Sequence, residues 1–67
     1  MYYTQLRNSY NDEVLIEQAF SDIEYSLYAV SKLFNGTKNN KDTSVVLIKD
    51  ESNAIPPEIL LNLKLGD

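Results

Sequence analysis

The sequence predicts a mainly α fold with a small β element, an α+β arrangement in a single small domain spanning 1–67. Three observations lead there. Apolar residues recur at helical spacing from Ile16 to Phe34, a β-branched run occupies 43–49, and polar, turn-forming stretches separate the two.

Taken in order, the N-terminal segment 1–10 opens with Tyr2-Tyr3-Thr4-Gln5-Leu6. It is compatible with an edge strand, a first helical turn or a flexible lead-in. The next stretch carries the strongest local signals, which predict one long amphipathic helix over about 11–35. Asn11 suits an N-cap, and Asp12 and Glu13 lie at the positive end of the helix dipole. Tyr10 and Leu15 are spaced as a hydrophobic staple, Lys32 falls in the last turn, and Gly36 suits a left-handed closing residue. Within this span Ile16, Phe20, Ile23, Leu27, Val30 and Phe34 follow one another at alternating steps of 4 and 3. That is a heptad seam, and a dimer through the long helix is expected from it.

Residues 36–42, Gly-Thr-Lys-Asn-Asn-Lys-Asp, read as a loop, and 43–49, Thr-Ser-Val-Val-Leu-Ile-Lys, as a short strand. The segment 57–65 carries two signals. Pro56-Pro57-Glu58 resembles a helix start and favours a short C-terminal helix. The alternation of Ile59, Leu61, Leu63 and Leu65 with Leu60, Asn62 and Lys64 is instead that of a strand pairing with 43–49.

Composition excludes most chemistry. The 67 residues contain neither His nor Cys, so the usual general base near neutral pH, thiolate catalysis and thiolate zinc sites are absent. With glycine only at Gly36 and Gly66, no phosphate-cradling loop can be written. No catalytic residue, cofactor or metal site is therefore expected. No apolar run reaches membrane-spanning or signal-peptide length, so a cytoplasmic protein is expected.

The net charge of −4 is unevenly distributed. From Asp12 to Ser31 there are five acids and no base, whereas from Lys32 to Lys49 four lysines face Asp42 alone. Scattered lysines beside an acidic stretch are a poor footprint for nucleic acid. A small chain without disulfide or metal has a marginal core, which favours association with itself or another protein. The expected function is thus a non-enzymatic protein–protein interaction protein, an oligomeric inhibitor, adaptor or regulator. A dimeric nucleic-acid-binding regulator and a structural subunit of a larger assembly are the alternatives. The six seam residues are the expected oligomer interface. Glu13, Glu17 and Glu24, bordering the seam, are candidates for contacting a basic partner, and Tyr25 and Tyr28 for a second contact surface, tyrosine being enriched at interfaces.

Over Asp12-Glu13-Val14-Leu15-Ile16-Glu17 through Phe20 the chain resembles the opening helix of the small helical-hairpin proteins that inhibit sporulation histidine kinases. The second, basic helix of that family has no counterpart after Asn35, and no residue role is carried over.

Overall fold

The computed structural model describes residues 1–51 and 56–64. Four strands and one helix follow in the order β1 (Tyr2–Asn8), β2 (Val14–Phe20), α1 (Ile23–Thr37), β3 (Thr43–Lys49) and β4 (Glu58–Lys64). The strands form one sheet, ordered β2-β1-β3-β4, in which every neighbouring pair is antiparallel. β2 and β3 consequently run parallel with β1 between them. Parallel strands need a long crossover, and α1 supplies it, lying across one face of the sheet.

This is a β-rich fold and corrects the mainly α expectation. The helix of about 11–35 is absent over its first half. Val14–Phe20 is a strand, and the helix begins at Ile23. Its N-cap is Asp22, whose extended backbone (φ −114°, ψ 129°) lets Oδ1 accept from the Glu24 amide at 2.7 Å. Asn11 serves the β1–β2 hairpin instead, its Oδ1 accepting from the Glu13 amide at 2.9 Å, while Asp12 takes a left-handed φ of 60°. At the other end Gly36 has no positive φ and lies inside the last turn of α1. The resemblance to a helical-hairpin inhibitor ends with the helical reading of 12–20.

The strand expected at 43–49 is present as β3. The segment 57–65 is strand rather than the favoured short helix over its described part, Leu65 lying outside the described residues. The N-terminal segment is neither an edge nor a flexible lead-in but the central strand β1.

The core follows from this order. β3, central in the sheet, carries Val45, Val46, Leu47 and Ile48 buried on both faces. Such a continuous apolar run is what a strand covered on both sides requires. On the helix side Val45 and Leu47 pack with Leu6 and Val30, and Tyr2, Leu33, Phe34, Leu60 and Leu63 close round them. The face away from α1, called here the open face, covers Val46 with its cross-strand neighbours Gln5 and Asn62, and Ile48 with Tyr3 and Ile59.

Small side chains set how closely the helix approaches. Thr4 and Ser26 are both fully buried, and the Thr4 hydroxyl donates to the Ser26 carbonyl at 3.2 Å. Ser26 in turn donates to the Ile23 carbonyl at 2.7 Å, so neither hydroxyl is buried without a partner.

At one end of the sheet the β1–β2 hairpin docks on the loop after α1. The Ser9 amide and hydroxyl donate to the carbonyls of Asp42 and Lys41 at 2.8 and 3.0 Å. The neighbouring Asp42 carboxylate, which favours the protonated phenol, raises Tyr10 above its ordinary 10.0. This contact supports folding below about pH 10 and fades as pH rises through the raised value. Asp42→Asn is expected to return Tyr10 to the ordinary range, read from its ring resonances across an alkaline titration; an unchanged Tyr10 midpoint would refute the contact.

Burial also separates two leucines that the seam would treat alike. Leu47→Ala is expected to cost about 2–5 kcal/mol in urea denaturation, or to unfold so small a chain outright. Leu27→Ala, at a position 43% exposed, is expected to cost under about 1 kcal/mol. Equal losses would contradict this packing.

Candidate functional site

One helix over a four-stranded sheet leaves both edge strands thinly covered. α1 packs on β3 and β1, makes fewer contacts with β2, and leaves the flank beside β4 open. Large apolar side chains are exposed along both flanks. On β2 these are Val14, Leu15 and Ile16, each more than 40% exposed.

β2 is the more distinctive edge. Its register against β1 sets Ile16 beside Leu6, Gln18 beside Thr4 and Phe20 beside Tyr2, so these three face α1. Glu17 and Ala19, opposite Gln5 and Tyr3, face the open side. The register shifts between Leu6 and Arg7, and Leu15 is the extra residue of that bulge. The far side of the strand is unpaired, leaving a row of backbone donors and acceptors.

Beside this row, on the helix side, lies an apolar groove of about 330 Å³. Its floor and walls are Gln18 and Phe20 of β2 with Tyr25, Tyr28, Ala29 and Leu33 of α1. Lys32 stands at its rim, with Nζ 5.0 Å from the centre of the Tyr28 ring, a cation–π distance. The lining is mostly apolar and open to solvent, suited to receiving a side chain rather than enclosing a reaction.

The acids lie along the same flank. Asp12 and Glu13 are in the hairpin before β2, Glu17 is at its middle, and Asp22 and Glu24 are at the junction into α1. On the open face Glu17 Oε2 accepts from Gln5 Nε2 at 2.6 Å, and Gln5 Oε1 accepts from Arg7 Nε at 2.8 Å. A second hollow of about 300 Å³ lies there, lined by Tyr3, Gln5, Glu17, Ile48, Asp50 and Pro57. Among the described residues its charged lining groups are the carboxylates of Glu17 and Asp50, with no Lys or Arg beside them. Among the described residues no three Asp or Glu side chains converge as a metal would require, and no helix is long and apolar enough to cross a membrane.

The structure redistributes the residues singled out in the sequence. The six seam residues form no continuous stripe. Ile16 and Phe20 are on β2, Val30 is in the core, Phe34 is partly buried against it, and Ile23 and Leu27 are exposed on α1. Leu27 and Ile23 project about 160° round the helix from Tyr25, toward the β4 flank. Glu13, Glu17 and Glu24 share the β2 flank without sharing a helix. Tyr25 and Tyr28 do sit together, on the groove. The exposed Val14, Ile59 and Leu61 were not singled out. The signals for them were the β-branched start of β2 and the alternation through β4.

No protein-family model, curated protein or solved structure matches this chain.

Proposed function

We propose that this chain is a non-catalytic protein-interaction module, working in the cytoplasm, that receives an extended segment of a partner along the free edge of β2. The observation that carries this reading is the juxtaposition on one flank of an unpaired, apolar edge strand and the groove between Phe20, Tyr25 and Tyr28. Strand addition draws affinity from main-chain hydrogen bonds and specificity from pockets for alternate side chains, and this flank offers both. The absence of His and Cys, and hollows lined without a base and nucleophile pair, weigh against catalysis. Nucleic acid is disfavoured by the net charge of −4 and by acids along the exposed edge.

Selection of short peptides from a random displayed library against the folded chain tests the reading. Enriched peptides are expected to shift the backbone amide resonances of β2 and the ring resonances of Tyr28. Peptides that bind while leaving β2 unperturbed would overturn it.

Self-association is the second reading, and β4 favours it. Ile59 and Leu61 are exposed on that edge, and Glu58 and Lys64 stand at its two ends. Two copies meeting antiparallel along β4 bring the acid of each toward the lysine of the other. The expected outcome is a molar mass of two chains by light scattering over about a hundredfold concentration range, reduced to one chain by Leu61→Lys. One chain at every concentration ends this second reading.

A further inference from the structure

We infer that the occupant of the β2 edge is an extended segment of a different protein in which apolar residues alternate with Lys or Arg. Its apolar row would face α1 and its basic row the open side of the sheet. The inference rests on the interaction reading above and adds the chemistry of the partner.

Charge first disfavours a second copy at this edge. Two β2 strands meeting antiparallel about Glu17 place that carboxylate against its own counterpart, and like charges directly opposite are destabilising. Sliding the pair to centre on Gln18 separates the two glutamates and sets Ile16 beside Phe20. It also brings Asp12 and Glu13 of each copy toward Asp22 and Glu24 of the other. With five acids and no base between Asp12 and Ser31, both of these registers set acid against acid, and no register offers an acid a cation of the other strand.

The same distribution selects a basic partner and says which of its faces is basic. Glu17 projects to the open face, where Gln5 occupies Oε2 and Oε1 has no donor among the described residues. A Lys or Arg opposite it gains a charge-assisted bond; the cation already on this face, Arg7, has its Nε turned to Gln5 Oε1, and the Asp50 carboxylate lines the same hollow as Glu17. On the helix face the groove is walled by Phe20, Tyr25 and Tyr28, and Lys32 at its rim repels a second cation. Apolar side chains therefore belong on that side. Successive residues of a strand point to opposite faces, so the two demands together specify alternation. The edge strand Val14–Phe20 has seven residues and is roughly 20 Å long at about 3.3 Å per residue, the reach of a segment of about seven residues.

The test uses the full chain and a blocked, fluorescein-labelled heptapeptide alternating Val and Lys, read by fluorescence anisotropy. Three comparison ligands are a Val and Glu heptapeptide and both peptides N-methylated at alternate amides. The Val and Lys peptide is expected to bind, to weaken as salt rises from about 50 to about 500 mM, and to lose binding on N-methylation. Glu17→Lys is expected to lower its affinity about tenfold and to admit the Val and Glu peptide, while Lys64→Glu on the opposite edge changes neither. Should Glu17→Lys fail to fold by circular dichroism, Glu17→Gln keeps the side-chain size and is expected to lower affinity about threefold. Equal binding of the two unmethylated peptides overturns the basic partner and leaves strand addition standing. Binding that survives N-methylation, or no binding by either peptide, overturns both.

Discussion

A single helix must cover a sheet nearly twice its width. Four strands about 4.8 Å apart span roughly 19 Å, whereas a helix with its side chains is about 10–12 Å across. One helix can seal two strands, and α1 lies over the central pair, β1 and β3. The burial gradient on the helix side follows: Val45 and Leu47 on β3 are 1% exposed, whereas Ile16 on β2 and Leu61 on β4 are 44% and 37% exposed. With no second helix among the described residues to share the work, apolar edges are a necessary product of the fold rather than an accident of its surface.

The Thr4–Ser26 contact decides where on those central strands the helix rests. Two residues with small side chains allow close approach over β1, and Ala29 and Val30 continue that inner stripe. A bulky residue at either position would lift the helix and open the core beneath Leu6 and Leu47. Close seating over β1 in turn leaves Tyr25 and Tyr28 hanging past Phe20, where the groove forms. The groove is thus set by the same small residues that close the core.

How much of this was legible depends on which physical signal each segment carried. The strand at Thr43–Lys49 was plain because a β-branched run bounded by turns has few other readings. The alternation in Glu58–Lys64 was visible but competed with a Pro-Pro-Glu start. The helix was legible only from Ile23 onward. Ile16 and Phe20 happen to continue its 4-3 phase, so a strand and a helix joined at Ser21-Asp22 imitate one long seam. The true cap, Asp22 followed by Glu24, was hidden inside that seam, and Asn11 offered an equally good cap that the hairpin uses instead. β1 was obscured because a central strand is expected to be apolar. Here it buries Thr4 and Gln5, which tertiary partners satisfy and no local pattern reveals. At the candidate site Tyr25 and Tyr28, expected on an outer helix face, line the groove, whereas Glu13 and Glu17 belong to the hairpin and β2 rather than to the helix expected there.

Exposed edge strands are ordinarily guarded by lysine, proline or an inward-pointing charge that discourages pairing. β2 has a bulge near one end, no proline, no lysine, and a single glutamate pointing to the open side. Its guard is the acid spread along the flank, from Asp12 to Glu24. Such a guard is selective. It repels another copy, which carries the same acids, and it attracts a strand of opposite charge. Proline on the edge would have blocked both alike. On the proposed reading, the acids that disfavour pairing of this edge with its own copy are also what leaves it available to a basic partner, so that both properties trace to the same five carboxylates.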